Sequence, residues 1–153
     1  MVDIFSLLKN GDLLEISIGS SAADVHSVFG DMGIEKILRG PDERGPIALL
    51  VGGFEFHLFD DRIFNILLKM QDYWYRRPDI FIGFEENLVY KNTSISQIIK
   101  ILYLLNIEWR FYQKYCEENR VVLITEGSAT IEFVARKEKL SINRIHRSED
   151  IVF

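Results

Sequence analysis

The chain has 153 residues, enough for one domain with a real core, since a domain of about 150 residues buries roughly 70% of the surface its unfolded chain exposes. With 48% hydrophobic and 27% charged residues, the composition excludes a disordered chain. Eighteen Lys and Arg against 23 Asp and Glu leave a formal net charge of -5, which disfavours nonspecific binding to nucleic acid or anionic membrane and makes a basic partner the expectation.

Asp3 to Lys9 reads as a short first helix closed by Asn10-Gly11, where glycine takes the left-handed conformation that ends helices. Leu14 to Ile18 alternates and reads as a short strand. Ser20 or Ser21 is then a helix N-cap. Ala22 to Phe29 places Val25, Val28 and Phe29 on one face before Gly30 stops the helix. The stretch from Arg39 to Pro46 carries two prolines, two glycines and four charges, and reads as a surface loop. Ile47 to Val51, a Gly52-Gly53 turn and the alternating run to Phe59 form a hairpin signature. Asp60-Asp61 supplies the next turn and Arg62 to Met70 a third strand.

Gln71 to Glu86 is rich in aromatics and charge, with Pro78 against a long helix, and reads as a packed linker. Ser94 to Leu105 is the clearest helix, since Ile95, Ile98, Ile99, Leu102 and Leu105 follow helical spacing. Trp109 to Tyr115 reads as an extended, partly buried stretch. Val121 to Ile124, Ala129 to Val134 and Leu140 to Ile145 read as three more strands.

The second series of elements echoes the first. Ser20 to Phe29 lies in register with Thr93 to Leu102, 73 positions on, and Ile47 to Val51 falls on Arg120 to Ile124 at the same offset. Glu55 to Phe59 matches Thr130 to Val134 at offset 75. The expected architecture is α+β: two tandem copies of a helix on a three-stranded antiparallel meander, about 13–70 and 88–147, joined by an aromatic linker 71–87. Joined edge to edge, the meanders make one continuous sheet with helices on one face and the other face open.

The segments Ile18-Gly19-Ser20-Ser21-Ala22-Ala23-Asp24-Val25 and Phe54 to Ile63 resemble a widespread group of small bacterial proteins. In that group an "LG-S-x-x-D-V-x-x-x-hG" helix precedes "G-x-h-E-h-x-F-x-D-x-x-h". Ser96 to Trp109 and Val121 to Phe133 are similar to that group's second half. The tandem resembles the β-lactamase-inhibitor-protein fold, and some relatives look like immunity proteins of bacterial toxin systems. The resembling motifs are structural and carry no catalytic residue, so the resemblance implies a binding role.

Cys116 is the only cysteine, so no internal disulfide forms, and its neighbours Glu117 and Glu118 argue against an activated nucleophile. Asp3 ahead of the short apolar run Ile4 to Leu8 is unlike a signal peptide, and no apolar run nears the roughly 20 residues of a membrane span, which makes the cytoplasm the expected location. His26, His57 and His146 lack the spacing of a zinc site, Gly52-Gly53 lacks the Lys and Ser or Thr of a phosphate loop, and no metal or cofactor is expected. The pairs Asp60-Asp61, Glu85-Glu86 and Glu117-Glu118 read as solvated turns rather than acid–base couples, because adjacent residues of an extended chain point to opposite sides. Asp72-Tyr73-Trp74-Tyr75-Arg76-Arg77 has the composition of an interface hot spot, of a plug between the copies, or of a self-association patch for a homodimer.

Strand alternation puts Glu55, His57, Thr130, Glu132 and Arg144 on the outward sheet face, with Asp60, Asp61, Tyr73 and Trp74 at its margin. The function expected is a non-enzymatic protein-binding module, most concretely an immunity protein whose acidic sheet surface occludes the active site of a basic toxin. The alternative is a small-molecule-binding or enzymatic domain with its pocket between the copies, which requires converging polar groups and a strongly perturbed titratable residue.

Overall fold

The computed structural model describes residues 2–30, 33–38, 45–70, 80–81, 88–90, 93–136 and 139–153. Their architecture is α+β, dominated by one eight-stranded antiparallel sheet. The strands in chain order are β1 (Val2–Asp3), β2 (Glu35–Leu38), β3 (Ile47–Val51), β4 (Phe54–Phe59), β5 (Arg62–Lys69), β6 (Ile80–Phe81), β7 (Leu88–Val89), β8 (Trp109–Phe111), β9 (Arg120–Thr125), β10 (Ala129–Arg136) and β11 (Lys139–Ser148). The helices are α1 (Phe5–Lys9), α2 (Ala22–Phe29) and α3 (Ile95–Leu104). The large sheet runs β2-β3-β4-β5-β11-β10-β9-β8, and the two-residue strands β1, β6 and β7 form a separate small sheet.

Both longer helices start from the same chemistry. Ser21 and Ser94 each accept a hydrogen bond from the backbone three residues on, while Asp24 and Gln97 reach back to the serine backbone, so two orphan amides are satisfied at each start. Val25 and Phe29 of α2 and Ile98 and Leu102 of α3 are buried, one helical turn apart. They join Leu7 and Leu8 of α1 and one face of the sheet, Phe54, Phe56, Ile66, Leu68, Leu123, Ile131, Phe133, Ile142 and Ile145, in a single apolar core. Burial of this size of apolar surface, at about 25 cal/mol per Å², is the main stabilising contribution.

The turns follow their sequence. Gly52 and Gly53 have φ of 56° and 92°, and Asp60 and Asp61 have φ of 48° and 57°; these two-residue loops with both central residues left-handed match the twist of the strands they join. Asp61 also accepts a hydrogen bond from the Ala22 N–H at 3.1 Å, tying the β4–β5 turn to the start of α2. Gly127 in the β9–β10 turn donates its N–H to Leu8 O at 3.0 Å, an approach so close that a Cβ on Gly127 would stand 2.6 Å from Leu7 O.

Several expectations are corrected. Each meander has a fourth, outer strand: β2 carries no alternation that betrays it, and β8 is the first part of the stretch read only as extended, which turns at Gln113–Tyr115 into 3-10 geometry. Leu14 to Ile18 is no strand. Leu13 and Ile16 exchange both backbone hydrogen bonds across a tight turn, with Leu14 and Glu15 at positive φ, so both apolar side chains are buried three residues apart. Val28 faces solvent at 39% exposure, outside the stripe set by Val25 and Phe29. The linker 71–87, with Tyr73 and Trp74, and most of the loop from Arg39 to Pro46 lie outside the described residues, save Ile80–Phe81, which pairs with β1 and β7, and Gly45 and Pro46.

Candidate functional site

None of the three α-helices packs on the face of the large sheet opposite the core, and the 3-10 turn Gln113–Tyr115 reaches it only at one side. One cross-strand row on it reads Arg110, Ile124, Thr130, His146, Leu67, Glu55, Leu50, Glu35, each the register partner of the next. A second row reads Val122, Glu132, Arg144, Lys69, and a third reads Ala48, His57, Asn65, Ser148. Strand alternation therefore brings five of the expected residues, Glu55, His57, Thr130, Glu132 and Arg144, to one face.

Two bulges aim these side chains. The register between β4 and β5 shifts after His57, where Phe64 is the extra residue, and that between β10 and β11 shifts after Glu132, where Asn143 is the extra residue. Asn143 thereby reaches its neighbour's carboxylate, with its Nδ2 donating to Glu132 Oε1 at 2.5 Å. Arg144 donates from Nε and Nη2 to Glu132 Oε2 at 3.1 and 2.8 Å, and Arg120 Nη1 lies 3.9 Å away.

The partner cluster in β4 and β5 has the same logic. Lys69 Nζ is 2.7 Å from Glu55 Oε1, and His57 Nε2 is 3.0 Å from Glu55 Oε2. Asn65 Nδ2 lies 3.1 Å from His57 Nδ1, so both ring nitrogens of His57 have a polar neighbour. Burial opposes the charge on Glu55, but the hydrogen bonds and charges of Lys69 and His57 outweigh it and hold the carboxyl below its usual range.

Between the clusters lies a cleft of about 440 Å³ at the seam where β5 pairs with β11. Leu67 and Val122 are buried in its floor, Thr130 and His146 lie beside them, and Tyr115, Asp150 and Ile151 also line it. His146 Nδ1 is 2.8 Å from Thr130 Oγ1. Burial, and then the Arg144 guanidinium, push its imidazole down to about 4 against the opposing pull of Glu132 and Asp150, so it is neutral at physiological pH.

Glu55 faces an adjoining hollow with His57, Lys69 and Pro46. Asp60 lines a separate groove with Phe59, Arg62 and Glu149, and Asp61 is engaged by α2, so neither turn aspartate belongs to the seam cleft. Lys69, Asn65, His146, Arg120 and Asp150 are members that sequence reasoning missed. The i, i+2 spacing of Arg144 and His146 is the signal that finds the latter.

The expected exposure of Glu55 and Glu132 is corrected: both are buried, beneath Lys69 and beneath Arg144 and Arg120, while Glu35 in the same row and Asp150 at the cleft are exposed. No group of three His, Cys, Asp or Glu side chains among the described residues is placed to hold a metal ion. No helix among them is long and apolar enough to cross a membrane. Comparisons of the chain with family models, curated proteins and solved structures give no match.

Proposed function

We propose that this chain is a non-enzymatic module that binds another protein through the face of its large sheet opposite the core, and that it arose by tandem duplication. The duplication is supported by matched details: the capping serines Ser21 and Ser94, β3 against β9, and bulges after His57 and Glu132, 75 positions apart. Asn65 and Arg144, like Leu67 and His146, stand 79 positions apart, and Leu67 and His146 are also register partners. On this reading an approximate two-fold axis passes through the seam cleft.

The observation that carries the binding reading is a polar face whose buried charges are already paired within it. Both carboxylates are neutralised, both ring nitrogens of His57 are engaged, and His146 is held by Thr130. Groups fixed in this way lose little freedom on association and present a rigid surface, whereas a general base needs a nitrogen or oxygen aimed at a substrate. The most concrete form of the module is an immunity protein that occludes the active site of a cognate toxin. A cytoplasmic location belongs to this reading.

The test is capture from native lysate followed by side-chain footprinting of the purified complex. Protection concentrated on His57, Lys69, Arg144 and Tyr115 is expected; protection of exposed side chains on α2 and α3 with an unprotected seam refutes this surface. A second reading, a small-molecule or enzymatic domain, is favoured by the seam cleft and its neutral His146. It predicts saturable shifts of His146 ring resonances with a small ligand and none on protein capture.

A further inference from the structure

We infer that the seam face receives an acidic segment of its protein partner, one that brings carboxylates to Lys69, Arg144 and Arg120. The inference rests on the protein-binding reading and adds the chemistry of what is bound. It follows from how charge is layered by depth. The Glu55 side chain is 3% exposed beneath a Lys69 side chain 33% exposed, and Glu132 is 6% exposed beneath Arg144 at 40% and Arg120 at 26%. An approaching group therefore meets the cations first, and the carboxylates lie behind them at longer range.

Hydrogen bonding points the same way. Both oxygens of Glu132 accept hydrogen bonds from Asn143 and Arg144, and the Glu55 carboxylate lies 2.7 Å from Lys69 Nζ and 3.0 Å from His57 Nε2, so both buried carboxylates are turned toward cations and donors of this chain. The Arg144 pair uses Nε and Nη2 and leaves the Nη1 edge out of the contact with Glu132, in the planar fork geometry that suits a second carboxylate. His146, neutral beside them, adds no charge of its own. The rim is bounded by Asp150 and by Glu117, which pairs with Arg120 at 2.6 Å, so the cationic patch is narrow and selects a short acidic segment rather than an extended polyanion. A basic partner placed here meets Lys69 and Arg144 head on, at a cost that like charges impose at any interface.

The whole chain carries a net charge of -5, so acidic peptides are repelled at long range, and any acidic peptide that binds must find a local site. The experiment titrates the isotope-labelled full chain with a decapeptide of glutamate and, separately, one of lysine, at low ionic strength and neutral pH. The glutamate peptide is expected to shift the Arg144 Nε–H resonance and the amides of Lys69 and Arg144. The paired substitution Glu132→Gln with Arg144→Gln, which removes both charges together and so leaves no buried carboxylate unpaired, is expected to weaken it about tenfold or more, the scale of one charge-assisted contact. Because the mapping on the unsubstituted chain stands alone, a variant that fails to fold does not decide the matter. Preference for the lysine peptide at these resonances, or glutamate-induced shifts confined to other surfaces, overturns the inference. A captured protein that seats a basic patch on this face also overturns it while leaving the binding module intact; a chain that captures no protein yet binds the glutamate peptide at the seam sinks the module and keeps the acidic site.

Discussion

Arg144 and His146 stand two residues apart on β11, and each shows how a side chain on this face depends on its neighbours. Arg144→Ala leaves Glu132 buried with Asn143 and a distant Arg120. Removing one member of a buried pair costs about 3–5 kcal/mol, and the half-exposed Arg144 and the remaining donors reduce that to about 2 kcal/mol, read from urea unfolding. The double change Glu132→Gln with Arg144→Gln is expected to recover most of it; equal losses in single and double variants would show that the pair is not what matters. His146 sets a pH dependence. Its folded value of about 4 lies below the unfolded 6.5, so the unfolded chain binds the proton first as pH falls, and stability present above about pH 6.5 is lost down to about pH 4. Burial being partial, the loss is about 2 kcal/mol. His146→Gln should flatten the urea midpoint across that window, and an unchanged slope would assign the loss to other groups.

At the scale of elements, the capping serines and the glycine contact carry the clearest expectations. Ser21→Ala and Ser94→Ala should each cost about 1 kcal/mol by thermal unfolding, since each removes one partner from an orphan amide at a partly solvated helix start. Gly127→Ala should cost far more, about 3 kcal/mol or above, because its Cβ meets the backbone of Leu7, Leu8 and Gly11 rather than a movable side chain. A mild effect would mean that α1 shifts freely on the β9–β10 turn. Much of this level was legible in the sequence. The serine caps, the Gly52-Gly53 and Asp60-Asp61 turns, and the outward parity of Glu55, His57, Thr130 and Glu132 rest on local spacing that the strands keep. What was not legible is cross-strand register. Lys69 above Glu55, and His146 beside Thr130, are neighbours only because β5 meets β11 and both sheets of pairings are shifted by bulges at Phe64 and Asn143. The burial of Glu55 and Glu132 is illegible for that reason: sequence counts carboxylates but does not show which cation covers them. Asp61 is an exposed turn residue as expected, and what local spacing does not show is its hydrogen bond to Ala22, which spans 39 positions.

For the molecule as a whole, the ladder between β5 and β11 is, among the described residues, the only pairing in the large sheet that joins the strands before position 70 to those from Trp109 on. Helices from both stretches share one core with it, so the seam belongs to the global unfolding unit. Amides of Ile66, Leu68 and Ile145 are expected to exchange only with complete unfolding, at the same free energy as those of Phe56 and Phe133. Faster exchange along β5 and β11 than in β4 and β10 would mean that the two stretches open apart without unfolding.

The lengths of the strands carry one more consequence. The outermost strands of the large sheet, β2 and β8, hold four and three residues, while the two that meet at the centre hold eight and ten. Among the described residues, the large sheet therefore offers other chains only a stub at either side to grow on. A fragment cut within the stretch between β5 and α3 bares a long, apolar ladder at Ile63 to Leu68, and it is the nicked or half-synthesised protein, not the intact one, that is set to precipitate or to trade strands with its own kind.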